Sequence, residues 1–441
     1  MVSCCWPPAS AVPVAAEDIP EAGTEPTPPD LPVLDHPRDG LPPLVSTVAG
    51  LAETAGALAE GSGPVAVDTE RAQGFRYSGR AYLLQFRRQG SGSHLVDPIP
   101  FADDEAGDPG LSVLSEALAT TEWIIHAASQ DLPCLRESGL YPQTLFDTEL
   151  AGRLLGLERV GLGAMMERYF GLRLRKEHSA ANWSVRPIPD EWLVYAALDV
   201  ELLVELRDLL AAELTAAGKD EWARQDFAHV LATFAEASAP RVDPWRRTSG
   251  INQVKSALGM AVVRELWQAR DEIARKNDTA PGKILQDRAI SELASTLRKG
   301  AALPGRGDLR SIDGFKRRQA KRYESTWVSA LERVGALSTA ELPPLRAPHD
   351  DGPPAPRSWE RHDPQAWARW NRVRPAVNDL SEQLQVPAEN LLTPDTLRRV
   401  TYRPPADPGH EAMDAQLAAL GARPWQRQLV VPVLVEQFRD A

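Results

Sequence analysis

The residues best suited to chemistry in this chain are carboxylates at short, regular spacings. Val65-Ala66-Val67-Asp68-Thr69-Glu70 reads as an apolar strand ending in two acids. Side chains alternate along a strand, so Asp68 and Glu70 leave it on one face, roughly 6 to 7 Å apart at the backbone. Two such carboxylates repel, and one takes up a proton unless a cation lies between them. An oxygen-only donor set suits a hard divalent ion such as magnesium or manganese. The plainer reading is an acid that ends a strand beside another that faces water. Tyr195-Ala196-Ala197-Leu198-Asp199 lies within a helix expected over residues 190 to 214. A spacing of four puts the phenol and the carboxylate on one helical face. An aspartate among Leu202, Leu206 and Leu209 needs a pair, a hydrogen bond or a metal if it is buried. The phenol beside it could orient a water for in-line attack on phosphorus, or the two could form a structural contact. Asp131 lies where Ile124-Ile125-His126 runs from a strand into a helix start. That is a place from which to reach a sheet-edge site, and also an ordinary place for an acid at a helix dipole.

Positioning these groups requires a sheet with helices against it. Short apolar runs at 64–69, 82–87, 94–96 and 123–126 predict strands, and 47–60 and 111–119 predict helices. After residue 145 helical patterning dominates. Strands first, a βα unit in the middle and helices later predict a mixed α/β sheet covered by helices. The 441 residues allow two to four domains, and 43% apolar with 25% charged residues excludes a collagenous or wholly disordered chain. No apolar run approaches the length of a membrane span, so no membrane partner is expected. Three cysteines, Cys4, Cys5 and Cys134, are too few for a disulfide scaffold or a zinc site of paired thiolates. Met1 to Ser10 lacks the basic and apolar regions of a secretory leader, so the expected compartment is the reducing cytoplasm. The net charge of −12 is unevenly spread. Residues 1 to 60 hold nine acids and one arginine, whereas residues 241 to 340 hold 20 Lys or Arg against 11 Asp or Glu. A basic block inside an acidic chain permits a locally held nucleic acid, because steering depends on the local field. A solvated helical bundle has the same composition.

Eleven prolines within residues 1–45, with scattered acids and no periodicity, predict a disordered acidic tail. Residues 46–236 then form the domain that carries the acids. Ala237-Ser238-Ala239-Pro240 marks a boundary, and residues 237–340 read as helices. Six prolines between Glu341 and Pro356 predict a linker over 341–362, followed by a second helical unit at 363–441.

In order, Asp-x-Glu, Asp and Tyr-x3-Asp form a constellation that resembles the DEDDy branch of 3′-to-5′ exonucleases, and within it the ribonuclease D family. The surrounding words carry the resemblance: His126-Ala127-Ala128-Ser129-Gln130-Asp131-Leu132, Leu145-Phe146-Asp147-Thr148-Glu149-Leu150-Ala151, Trp183-Ser184-Val185-Arg186-Pro187 and Tyr195 through Val200. It covers residues 45 to 235 and implies a ribonuclease H-like fold. It further implies catalysis by Asp68, Glu70, Asp131, Tyr195 and Asp199, with the four acids holding two divalent cations, magnesium or manganese. Asp68 would bridge the two, Glu70 and Asp199 would complete one site, and Asp131 would support the other. RNA 3′ ends, tRNA precursors among them, are the implied substrates, and nucleoside 5′-monophosphates the products. The family usually has Asp where this chain has Asn182, which puts local geometry or substrate contact in question rather than the metal set. Residues 250 to 338 resemble an HRDC domain, and the last unit resembles a second module of that type. RNA contacts are expected from His126, Lys176 and His178, and from Lys316, Arg317, Arg318 and Lys321, since phosphate contacts need little more than clustered cations. Two alternatives stay open: a DNA-directed exonuclease of the same superfamily, and an inactive RNA-binding scaffold. The sequence leaves the oligomeric state open.

Overall fold

Val65, Ala66 and Val67 are fully buried, and they make β3 (Ser62–Arg71) a central strand covered on both faces. The computed structural model describes residues 31–101, 110–175, 178, 180–236, 241–298, 301–346 and 352–439. Eight strands occur among them: β1 (Val33–Leu34), β2 (Leu44–Val45), β3, β4 (Ala81–Gln89), β5 (Gly92–Val96), β6 (Glu122–Ile125), β7 (Thr144–Asp147) and β8 (Arg173–Leu174). Six form one sheet in the order β2-β5-β4-β3-β6-β7, and β1 pairs with β8 apart from it. β3, β4 and β5 are antiparallel neighbours, whereas β6 runs parallel to β3, and β7 parallel to β6. The mixed sheet expected from the sequence is therefore present.

A cleft follows from the pairing. β6 pairs with β3 only at Val65 and Ala66, opposite Trp123 and Ile124. Beyond Ile125 the chain leaves the sheet through Ala127, whose φ of 59° is left-handed. The last residues of β3, Asp68 to Arg71, thus extend past their parallel neighbour. Openings at the carboxyl ends of parallel strands are where α/β folds bind ligands. Helices α1 (Val48–Glu60), α2 (Ser112–Ala117), α3 (Leu132–Glu137), α4 (Thr148–Leu154) and α5 (Leu162–Phe170) connect or flank the strands. They are followed by α6 (Asp190–Glu201), α7 (Leu203–Ala216) and α8 (Asp220–Phe234). The single helix expected over 190–214 is two, broken at Leu202 (φ −119°, ψ 11°).

Residues 31–45 correct the expectation of a disordered tail over 1–45; residues 1–30 lie outside the described set. Arg38 donates from Nε to Glu201 Oε1 at 2.8 Å and from Nη2 to Glu205 at 2.6 Å. Arg87 lies 3.3 Å from the other Glu201 oxygen, so two guanidiniums compensate one buried carboxylate. β1 and β2 add backbone pairing. Proline suppresses helix but leaves such short extended pairings available.

The helices that follow form two units of different attachment. Trp245, Leu266, Ile290, Phe315 and Trp327 belong to a separate apolar core around α9 (Ala257–Lys276), next to α10 (Pro281–Ile284). The C-terminal helices instead share one continuous core with the sheet domain, from Leu51 and Ile124 through Phe227 to Val373, Trp425 and Leu434. Trp222 and Trp425 stack at 4.8 Å, and Asp226 accepts from Trp425 Nε1 at 2.9 Å and from Arg423 Nε at 2.7 Å. Lys219 Nζ donates to the carbonyls of Leu154 and Leu384, each at 2.8 Å. The C-terminal unit also begins earlier than the linker expected over 341–362 allows. Trp359 is fully buried within a helix spanning Trp359–His362 and packs on Trp370 and Tyr402.

Gly156 of the sheet domain lies against Gln385 of the C-terminal unit. Its φ is +74°, and a Cβ there would sit 2.5 Å from the Gln385 carbonyl oxygen. Gly156→Ala therefore meets both left-handed strain and a backbone clash, and should lower stability by about 1 to 3 kcal/mol. Calorimetric melting checks this; an unchanged transition would contradict so tight a junction. Among the described residues no helix is long and apolar enough to cross a membrane.

Candidate active site

Alternation along β3 brings Asp68 and Glu70 to one face, as the sequence predicts, and α6 lays Asp199 against them. One carboxylate oxygen from each of Asp68, Glu70 and Asp199 lies within 4.8 Å of the other two. They line a cleft of about 320 Å³ together with Arg71, His126, Gln130, Asp131, Glu149 and Tyr195. Among the described residues no lysine or arginine forms an ion pair with any of the three. Asp131, at the start of α3, lines the same cleft but stands outside the three-carboxylate group. Its Oδ1 accepts from Thr69 Oγ1 at 2.6 Å, and the same hydroxyl lies 3.1 Å from Cys134 Sγ.

Burial raises every one of these acids, and neighbouring carboxylates add to it at Asp68, Glu70 and Asp199. Burial, followed by repulsion from Asp131 and Asp199, holds Asp68 well above the usual carboxylate range. Burial and then Asp68 do the same to Glu70. Asp199 is pushed up to about 7, chiefly by burial and despite a hydrogen bond from Tyr195. Asp131 rises to about 6, again by burial, which the Thr69 bond and the nearby Arg71 oppose. Acids this close in a low-dielectric cleft need protons or a cation, and all-oxygen donors favour a hard divalent ion. The donor set therefore fits the divalent metal that the sequence resemblance implies.

The sign of the linkage is testable. The acid cluster binds more protons in the folded protein than in the unfolded chain between about pH 4, the ordinary aspartate value, and about 7, where Asp199 titrates. The cluster's contribution to stability without metal is therefore fully present below this window and is lost as pH rises through it. In chelator the melting temperature should fall by several degrees from pH 5 to pH 8. Added manganese or magnesium should restore it at pH 8 and do little at pH 5, where protons compete. A metal-induced shift that is equal at both pH values would contradict this.

Other expected residues take up different positions. Tyr195 packs 6.3 Å from Trp183 and edge-on to His178 at 6.0 Å, and burial followed by the three acids pushes its phenol far above the ordinary range. It keeps its proton. His126 lines the cleft, but burial lowers it to about 4, and its Nδ1 lies 2.9 Å from Thr148 Oγ1. It is a neutral imidazole rather than a cation for phosphate. His178 also packs at a tilt on Trp192 at 5.9 Å, and its Nε2 is buried without a hydrogen-bond partner among the described residues. Lys176 lies outside the described residues. Lys316 ends the short helix Asp313–Lys316, Arg318 and Lys321 lie on the helix Arg318–Arg322, Arg317 joins the two, and none of the four lines the acidic cleft. Lys316 pairs with Asp313 at 3.0 Å. Asn182 Oδ1 accepts from Ser184 Oγ at 2.7 Å and is not a cleft residue.

Three contributors are visible only in the structure. Arg71 follows Glu70 into the cleft. Thr69 leaves β3 on the face opposite the two acids and orients Asp131. Asp147 ends β7, caps α4 through Glu149 N and Leu150 N, and accepts from Ala127 N at 3.1 Å and Ala128 N at 2.9 Å. That bridge fixes the left-handed exit from β6. Asp-Thr-Glu before an apolar helix is a capping signal that could have identified Asp147.

The chain matches known proteins along most of its length. Residues 43–215 match the 3′-5′ exonuclease family, residues 260–331 the HRDC domain, and residues 352–438 the 3′ to 5′ exonuclease C-terminal domain. A crystal structure of a protein from Bifidobacterium adolescentis is 36% identical with a TM-score of 0.83, over 93% of this chain and all of that one. The Escherichia coli RNase D structure shares the fold at 22% identity with a TM-score of 0.62, over 90% of this chain and 98% of that one. Ribonuclease D of Jannaschia sp. (strain CCS1) is 30% identical over 296 residues, which are 65% of this chain and 72% of that protein. A relative this similar over most of its length, with the exonuclease and HRDC matches in the same order, shows that the chain belongs to the ribonuclease D family of 3′-to-5′ exoribonucleases.

Proposed function

We propose that this exoribonuclease trims the 3′ ends of structured RNAs, tRNA precursors among them, releasing nucleoside 5′-monophosphates. Asp68, Glu70 and Asp199 would hold one magnesium or manganese ion, and Asp68 with Asp131 a second. When bound, such a pair of cations activates a water and stabilises the departing 3′-oxygen. The observation that carries the reading is the convergence of Asp68, Glu70 and Asp199 within 4.8 Å.

The chain's own groups act around that centre. Tyr195, always protonated, would turn its one O–H from Asp199 towards the attacking water once a cation shields that carboxylate, and so orient the water rather than serve as a base. Thr69 keeps one Asp131 oxygen occupied and so sets the direction of the other. Neutral His126 would bring no positive charge to repel the cations. The basic face at Lys316, Arg317, Arg318 and Lys321 would follow the RNA backbone, where contacts are sequence-independent and salt-sensitive. The Escherichia coli relative is described as an exoribonuclease involved in structured RNA processing, which supports the choice of substrate. We place the protein in the cytoplasm, where a buried free thiol at Cys134 would stay reduced.

Matched RNA and DNA oligonucleotides and a precursor tRNA with a 3′ trailer test this. The trailer and the RNA should shorten stepwise with release of 5′-monophosphates, and DNA more slowly. DNA degraded as fast as RNA, an untouched trailer, or products bearing 3′-phosphates would overturn it.

A further inference from the structure

The loop that leaves the catalytic strand is gripped by the HRDC-type unit. Residues 72–80 join β3 to β4, starting one residue after Arg71, where the β3–β4 register shifts. Asp278, in the turn between α9 and α10, accepts at Oδ1 from Tyr77 N at 3.2 Å and Ser78 N at 2.9 Å. Its Oδ2 accepts from Tyr82 Oη at 3.2 Å. Tyr77 Oη donates to Asp271 at 3.1 Å, Ala280 N donates to Phe75 O at 3.1 Å, and the Lys283 ammonium sits 4.3 Å from the Phe75 ring centroid. Asp278 has a φ of 40°, a left-handed conformation that costs an L residue and that aspartate and asparagine tolerate best. The turn thus presents one carboxylate to two backbone donors of the loop and to the Tyr82 hydroxyl on β4.

The other end of the loop leads to the active site. Arg76 Nε donates to Ser184 Oγ at 2.8 Å, and Ser184 Oγ donates to Asn182 Oδ1 at 2.7 Å. Trp183, between them, is fully buried, 5.4 Å from Trp192 and 6.3 Å from Tyr195. Arg186 fixes the end of the segment by donating to both Asp97 oxygens, at 2.7 and 2.8 Å, and to Tyr82 O at 2.8 Å. Tyr82 is itself a donor to Asp278. Two routes therefore connect Asp278 to the tryptophan that backs Tyr195.

We propose that Asp278 is a positioning residue for the exonuclease site. In this proposal the HRDC-type unit, besides any contact with RNA, holds loop 72–80 and through Arg76, Ser184 and Asn182 sets the platform behind Tyr195. The proposal rests on the exonuclease reading above. It also gives Asn182 a role. A neutral amide accepts from Ser184 without drawing the Arg76 guanidinium away from the hydroxyl, as a carboxylate there would.

A unit that only holds RNA and one that also shapes the site differ in steady-state kinetics on an RNA oligonucleotide. Asp278→Ala should lower kcat about tenfold with KM within about twofold, because small misplacements of reacting groups cost rate rather than affinity. Asp278→Asn, which keeps an acceptor and tolerates the same φ, should recover most of the loss. Arg76→Ala, which leaves the HRDC-type unit untouched, should lower kcat in the same way and serves if Asp278→Ala melts early. An unchanged kcat in both alanine variants, with or without a raised KM, would overturn the proposal. Hydrogen exchange gives a second reading that needs no catalysis. Asp278→Ala should speed exchange over residues 75–80 and over 182–187, and unaltered exchange at 182–187 would overturn the connection. Wild-type protein that fails to shorten RNA in any divalent metal would sink the exonuclease reading instead, and the exchange result would still decide the latch.

Discussion

Asp68→Asn should slow RNA shortening by at least about 1,000-fold, the scale expected when charge stabilisation at a phosphoryl centre is lost. The same variant should melt at a higher temperature than wild type in chelator. Both effects have one origin. Asp68 is raised by burial and then by Asp131 and Asp199, which the nearby Arg71 offsets only in part, so the metal-free fold bears the cost of crowded, buried acids. The amide has nearly the same shape and removes one of them. It also removes a charge that the cation needs, so added manganese should stabilise the variant less than wild type. Single-turnover assays and calorimetry with and without metal check the pair of effects. Activity within tenfold of wild type, in a preparation free of host nuclease, would contradict the assignment of Asp68.

Tyr195→Phe should lower kcat by about 100-fold, the range for loss of one positioned hydrogen-bond donor, while KM for RNA and the metal-induced melting shift stay as in wild type. Burial and the three nearby acids keep the phenol protonated, so it can donate but cannot act as a base. The ring itself, packed 6.3 Å from Trp183 and 6.0 Å from His178, should keep its place in the variant. Because the phenol does not titrate in the working range, the pH–rate profile should fall in height without changing shape. A profile that loses its basic limb in the variant would show that Tyr195 titrates after all.

Much of the site is legible in the sequence because each part of it is local. Alternation along Val65–Glu70 and the four-residue spacing of Tyr195 and Asp199 are short-range rules, and the structure obeys both. What stays hidden depends on partners distant in sequence. The break at Leu202 leaves no mark in the pattern, since Val200, Leu203 and Leu206 are buried on both sides of it. Residues 31–45 look like a tail because their strands are two residues long and Arg38 finds Glu201 163 positions away. Residues 356–362 look like linker because proline signals outweigh one buried tryptophan, Trp359. Asp278 reads as an ordinary turn aspartate until Tyr77, 201 residues earlier, is placed beside it. His126 is expected to contact RNA from its place near Asp131, and the burial that lowers it to about 4, so that any such contact is made by a neutral imidazole, is not written in the sequence.

The central claim is that this acidic cleft cuts RNA from the 3′ end with the help of divalent metal. A time course on 5′-labelled single-stranded RNA, with magnesium, manganese or chelator, and with wild type beside Asp199→Ala, tests it most directly. The account predicts a ladder of stepwise shorter products that appears only with metal and only with wild type. RNA that is bound but never shortened under any metal, or an Asp199→Ala protein that shortens it equally well, would contradict it.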